Sequence, residues 1–132
     1  MNPNSTTHLI GTRVEVYWNL HRDLFSVRAL SGPDKGRVVT HTRLIDLGDV
    51  TFVVQPAGRA RVLAEGRKNV HAFVRGTVLC SLDGVNADYT KVTYNPYKTD
   101  SFVARKDGTR FRNASVVRAY TDNRGRPVLA AA

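Results

Sequence analysis

PAGRARVLAEGRKNVHAFVRG, residues 56–76, holds the one segment of this chain whose composition favours a helix, followed at once by a segment with the two-residue period of a strand. Proline suits a first helical turn, where its missing N–H would have no partner, and Ala, Arg, Leu and Glu all have good helix propensity. Gly66 then ends the run. The spacing predicts a helix over 56–65, about three turns long, with Val62 and Leu63 inward and Arg59, Arg61 and Arg67 along its rim. From Asn69 the period changes. Val70, Ala72, Val74 and Val78 share one face of a strand, and His71, Phe73, Arg75 and Leu79 share the other.

Outward from this stretch the chain reads as strands and turns. Val14, Val16 and Trp18 alternate with Arg13, Glu15, Tyr17 and Asn19, and LFSVRAL (24–30) follows a polar break, which together predict a hairpin. SGPDKG (31–36) is a turn, since glycine permits positive φ and proline fixes its own. RVVTHTRL and DVTFVV (49–54) are expected to be the third and fourth strands, the latter covered on both faces and packed against the helix. After the turn-rich SLDGVNAD come two strands broken at Asn95-Pro96, a hairpin at Lys106-Asp107-Gly108, and SVVRAY paired with PVLAA.

The fold class expected is therefore α+β, a mostly antiparallel sheet of seven or eight strands with one principal helix. Residues 1–11 are polar and read as a flexible arm, leaving residues 12–132 as a single ligand-binding domain. One helix leaves much sheet uncovered. A homo-oligomer, a dimer or a trimer of dimers, would bury that open face.

Twenty Lys plus Arg stand against 11 Asp plus Glu, a formal charge of +9, and fifteen of the twenty are arginine. An anionic partner is expected, because arginine grips phosphate with two parallel hydrogen bonds; a GC-rich genome would also favour arginine codons. No stretch has the length of a membrane span and the amino terminus lacks a signal-peptide core, so the expected location is the cytoplasm. A single cysteine, Cys80, makes no internal disulfide.

No cofactor and no metal is expected, since His8, His21, His41 and His71 fall in no metal motif and the glycines make no phosphate loop. Asp83 and Asp88 flank a loop in which aspartates ordinarily form turns. A non-enzymatic binding protein is the reading that remains. Arg28 shares a strand face with Leu24 and Ser26, either as a solvated strand arginine or as one that grips a ligand. Tyr94-Asn95-Pro96-Tyr97 is either an aromatic-lined turn held by its asparagine or a base-binding corner. Arg59, Arg61, Arg67 and Lys68, and then Arg105, Lys106, Arg110, Arg112 and Arg118, supply the basic groups that a nucleic acid would need.

NLHRDLFSVR (19–28), AGRARVLAEGRKNVHAFVRG (57–76) and YNPY with SFV (94–103) resemble, in order and spacing, a family of small phage and prophage proteins, the first Thoeris anti-defence family. The resemblance spans roughly residues 14–120, and RKNVHAFV is its most specific part. It implies a sponge that binds a small anionic cyclic nucleotide, a cyclic ADP-ribose isomer or a cyclic di- or trinucleotide, and sequesters it uncleaved. It also implies dimers that assemble into hexamers. On this resemblance Arg28 and one of Arg110 or Arg112 grip phosphates in the dimer pockets and Asn95 reads the base. Phe73, Tyr94 and Tyr97 are then candidates for the aromatic plate. The alternative is a basic phage module that binds nucleic acid; an enzyme cleaving such messengers rests only on His71 and the Asp83 to Asp88 loop.

Overall fold

The computed structural model describes residues 6–81 and 88–132. Among the described residues nine strands form one sheet: β1 (Arg13–Asn19), β2 (Leu24–Ala29), β3 (Val38–Thr42), β4 (Leu44–Val54), β5 (Ala72–Val78), β6 (Thr90–Thr93), β7 (Val103–Ala104), β8 (Asn113–Thr121) and β9 (Pro127–Ala131). Their order is β3-β2-β1-β5-β4-β8-β9-β6-β7, and every pairing is antiparallel. With the helix α1 (Pro56–Glu65), this is the α+β class expected.

Arg43 alone joins β3 to β4, yet β2, β1 and β5 lie between them in the sheet. Two Cα steps reach about 7.6 Å, whereas four strand spacings in a flat sheet come to about 19 Å. The sheet must therefore roll, and β2 does approach β8 across the interior. The buried Thr42 secures the corner: its hydroxyl lies 2.8 Å from the Leu44 carbonyl and 3.2 Å from the Leu44 N–H.

The rolled inner face holds the core. Val14, Val16, Val27, Ile45, Leu47, Val50, Val74, Val78 and Val117 are at most 2% exposed. Phe52 meets Phe102 and Phe111 at centroid distances of 5.2 and 5.9 Å, and Trp18 stands edge-on to Phe25 at 5.0 Å. Within the stretch read as a flexible arm, Thr7–Leu9 forms a 3-10 turn, and Leu9 is buried in this core. No helix among the described residues is long and apolar enough to cross a membrane.

One residue of β4 decides which side chains face outward. Gly48 pairs with Thr77 and Thr51 with Arg75, so β4 takes one more step than β5 between those pairs, a β-bulge with Asp49 at φ +50°. The extra residue resets the alternation. Ile45 and Leu47 point inward before it, Val50 and Phe52 after it, and Thr51 is left on the outer face. Opposite the bulge, a Cβ on Gly76 would meet Leu47 Cβ at 2.9 Å and the Gly48 carbonyl at 3.2 Å, so glycine is required there. The bulge corrects two expectations: β4 begins at Leu44, well before Asp49, and Thr51 is exposed, so this strand is not covered on both faces.

α1 has the predicted bounds, and Gly66 closes it in the left-handed region with its N–H on the Val62 carbonyl at 2.9 Å. Its packing departs from expectation. Val62 is its one buried residue, while Leu63 is 44% exposed, because the helix is tethered at its start and does not lie along the sheet as a cover. A Cβ on Gly58 would stand 2.4 Å from His71 Cβ, Asn69 Nδ2 donates to the Gly58 carbonyl at 3.3 Å, and Arg59 Nε donates to the carbonyls of Pro96 (3.1 Å) and Thr99 (3.0 Å).

Candidate functional site

The outer face of the sheet carries a row of polar side chains that the register brings side by side on five adjacent strands. Arg28 of β2 pairs with Glu15 of β1, Glu15 with Arg75 of β5, Arg75 with Thr51 of β4, and Thr51 with Asn113 of β8. Directly paired residues point to the same side of a sheet, so this is one continuous line. The row owes its continuity to the bulge, which puts Thr51 rather than an apolar neighbour beside Arg75.

Its centre is a carboxylate held between two guanidinium groups. Glu15 is 5% exposed although it faces away from the core, because the two arginines close over it. Arg75 donates through Nε at 2.9 Å and its NH2 lies 2.9 Å from the same oxygen; Arg28 NH1 reaches the other oxygen at 3.6 Å. An aromatic ring lies under each guanidinium, Tyr17 for Arg28 (5.6 Å to the centroid) and Phe73 for Arg75 (5.2 Å). Two positive charges meet one negative charge here, and the trio keeps a net charge of +1. Arg28 Nε is buried with no hydrogen-bond partner, and the side chains of Arg28 and Arg75 are 38% and 43% exposed.

Beside this row runs a second one, His41, Ser26 and Tyr17, which the pairing places on neighbouring strands β3, β2 and β1. Burial, and next Arg22, lowers the His41 pKa below the ordinary histidine value. At the other end of the first row, Thr51 and Asn113 line an open cleft together with Asp100, Phe111, Arg110 and Arg112.

The residues singled out from sequence are thus divided. Arg28 and Phe73 belong to the arginine trio and its aromatic supports, with Phe73 buried beneath Arg75. Arg110, exposed and 3.6 Å from Asp100, and Arg112, also exposed, stand at the far cleft. Tyr94 lies elsewhere: its hydroxyl is 2.7 Å from His71 Nε2 and its ring packs on Phe102 at 5.3 Å, and burial raises its pKa. Asn95 holds a turn, its Oδ1 accepting from the Tyr97 N–H at 2.9 Å and its carbonyl from the Lys98 and Thr99 N–H groups at 3.0 Å.

His71 is buried, with Tyr94 on one ring nitrogen and Asn69 on the other, an arrangement that joins α1 to the Tyr94 segment. Asp83 lies outside the described residues. Among the described residues no three His, Cys, Asp or Glu side chains converge as metal ligands. Sequence reasoning passed over Glu15, Tyr17 and Arg75 as site residues. The alternation put each on the correct face, and the missing information was that β1 pairs with β5, some 60 residues away in sequence.

A second buried carboxylate on the outer face is arranged differently. Asp46 accepts two hydrogen bonds from Arg118, from Nε at 2.7 Å and from NH2 at 3.0 Å. Arg43, Leu44, Tyr89 and Tyr120 line an open cleft around this pair.

Residues 7–125 match the family described as Mycobacterium phage L5 gene 82 protein. The gene 82 protein of Mycobacterium phage L5 is 40% identical over 121 residues, covering 86% of this chain and 92% of that protein. Phage kinship agrees with the resemblance drawn from sequence, but neither match names an anti-defence protein or a cyclic nucleotide. No solved structure matches. With nine-tenths of the chain matched by one family and a 40% identical relative spanned almost end to end, the chain belongs to the Mycobacterium phage L5 gene 82 protein family.

Proposed function

We propose that this chain is a non-enzymatic phage protein that binds nucleic acid on the outer face of its sheet, with Arg28 and Arg75 as the phosphate-gripping residues. The observation that carries the reading is the Arg28–Glu15–Arg75 trio, in which one buried carboxylate orients two partly exposed arginines and leaves them a net positive charge. Charge-assisted hydrogen bonds from a preorientated guanidinium are the strong ones, since the side chain has already lost its freedom. The row follows the curve of the rolled sheet over five strands, a path of about 19 Å at the usual strand spacing, and ends among Asn113, Arg110 and Arg112. A curved track suits a flexible single-stranded polyanion that can bend round it, and the formal charge of +9 favours its approach.

A second reading is sequestration of a small cyclic nucleotide in the Thoeris anti-defence manner. One observation favours it: Arg28 and Phe73, both named for that pocket, stand on one surface. Arg110 and Arg112 lie at the β8 end of the row, so such a pocket needs a second copy of the chain to bring one of them against Arg28. Fluorescence anisotropy with a labelled single-stranded oligonucleotide, beside calorimetry with cyclic ADP-ribose isomers and cyclic dinucleotides, separates the two. The first reading expects oligonucleotide binding that weakens steeply with salt. Absence of that binding at low salt overturns it, and stoichiometric uptake of a cyclic nucleotide, released intact on denaturation, establishes the second.

A further inference from the structure

The row beside the arginines contains a chain of hydrogen bonds whose donors and acceptors are fixed by elimination. Asn19 Oδ1 lies 3.0 Å from the His21 N–H and 3.2 Å from the Arg22 N–H. Backbone N–H groups only donate, so this atom of the amide must be the oxygen, and the nitrogen is the atom facing Ser26. Asn19 Nδ2 therefore donates to Ser26 Oγ at 3.1 Å.

Ser26 is wholly buried, and its remaining partner is His41 Nδ1 at 3.0 Å. Were Nδ1 protonated, the serine oxygen would accept twice and its own proton would be stranded without an acceptor in a site closed to water. The hydroxyl must donate to Nδ1, which leaves the ring proton on Nε2. That nitrogen has no partner among the described residues and is not among the buried unpaired atoms, so it is open to solvent.

We infer that His41 is a specificity-determining donor of the outer face, held by Asn19 and Ser26 as the Nε2–H tautomer and presenting that proton to an acceptor of the bound nucleic acid. The inference rests on the nucleic-acid reading for its ligand, but the tautomer stands without it. Its position fits the role. His41 pairs with Ser26, which pairs with Tyr17, the ring under Arg28, so the donor lies in the row adjoining the proposed phosphate contacts. A neutral donor adds no charge, and it selects among ligands by the position of an acceptor where the arginines select by charge.

Imidazole nitrogen NMR on the intact chain, free and with an oligothymidylate of about ten nucleotides, tests both halves. In the free protein Nδ1 should have the shift of an acceptor nitrogen and Nε2 that of a protonated one, and Ser26→Ala should convert His41 to a mixture of tautomers. On saturation the Nε2 signal should move. His41→Ala should weaken binding about fivefold, the scale of one lost hydrogen bond, with no change in the salt dependence. A proton found on Nδ1 in the free protein overturns the tautomer. Wild-type binding that leaves the His41 signals unmoved overturns the contact alone, whereas a wild type that binds no oligonucleotide ends the nucleic-acid reading and the contact with it.

Discussion

Glu15 and Asp46 are both carboxylates, both on the outer face of the sheet and both about 95% buried, yet their surroundings differ in one respect. Asp46 meets an arginine, Arg118, oxygen for nitrogen in a bidentate pair at 2.7 and 3.0 Å. Glu15 has two, each spending only part of its fork on the carboxylate and each 38% or more exposed at the side chain. The first arrangement balances charge, and the second leaves a positive charge that the protein does not satisfy. A matched buried pair is a structural element, costly to break and little inclined to recruit a ligand, whereas an over-supplied carboxylate holds arginines in place for something else.

Breaking each arrangement should expose the difference. The largest effect is expected from Arg28→Leu combined with Arg75→Leu, which keeps an apolar cover over Glu15 while removing both of its partners and should cost about 4 kcal/mol in urea unfolding. Arg118→Ala removes the bidentate partner of the buried Asp46, and about 3 kcal/mol is expected. Either arginine of the trio removed alone should cost only about 1 kcal/mol, because the other still holds Glu15. The double variant then exceeds the sum of the singles, and simple additivity would contradict a shared carboxylate.

Binding should divide the regions in the opposite sense. Arg28→Ala and Arg75→Ala should each reduce the salt dependence of oligonucleotide affinity by about one counterion. Arg118→Gln, which removes the same charge from the other region, should leave that dependence unchanged. Equal responses from the two regions would remove the distinction drawn between them.

The smallest effect concerns His41. Its folded-state pKa lies below the usual value, so the unfolded chain takes up the proton first. Stability should therefore be full above pH about 6.5 and decline as pH falls through the folded pKa. In thermal melts His41→Gln should lose that part of the acid sensitivity, and an unaltered pH profile would contradict the assignment.

Much of the fold is legible in local pattern. Proline at the start and glycine at the end delimit α1, the two-residue alternation assigns faces in β1 and β5, and Asp107-Gly108 marks a turn, with Gly108 at φ +77°. The bulge at Asp49 is not legible, because its cause is the close approach of Gly76 from another strand. Leu63 also misleads: its apolar character says that it would gain by burial, but the tethering of α1 through Gly58, Arg59 and Asn69 turns it to solvent. At the site, the alternation in β1 and β5 gives the side-chain directions, and the long-range pairing of the two strands brings Glu15 and Arg75 together.

The most direct test of the central claim is amide chemical-shift mapping during titration with the single-stranded oligonucleotide. The largest shifts should fall on Arg28, Arg75, Thr51 and Asn113, the line that crosses β2, β1, β5, β4 and β8. Shifts concentrated instead around Arg43, Arg118 and Tyr120, or around Arg105, Arg124 and Arg126, would contradict it.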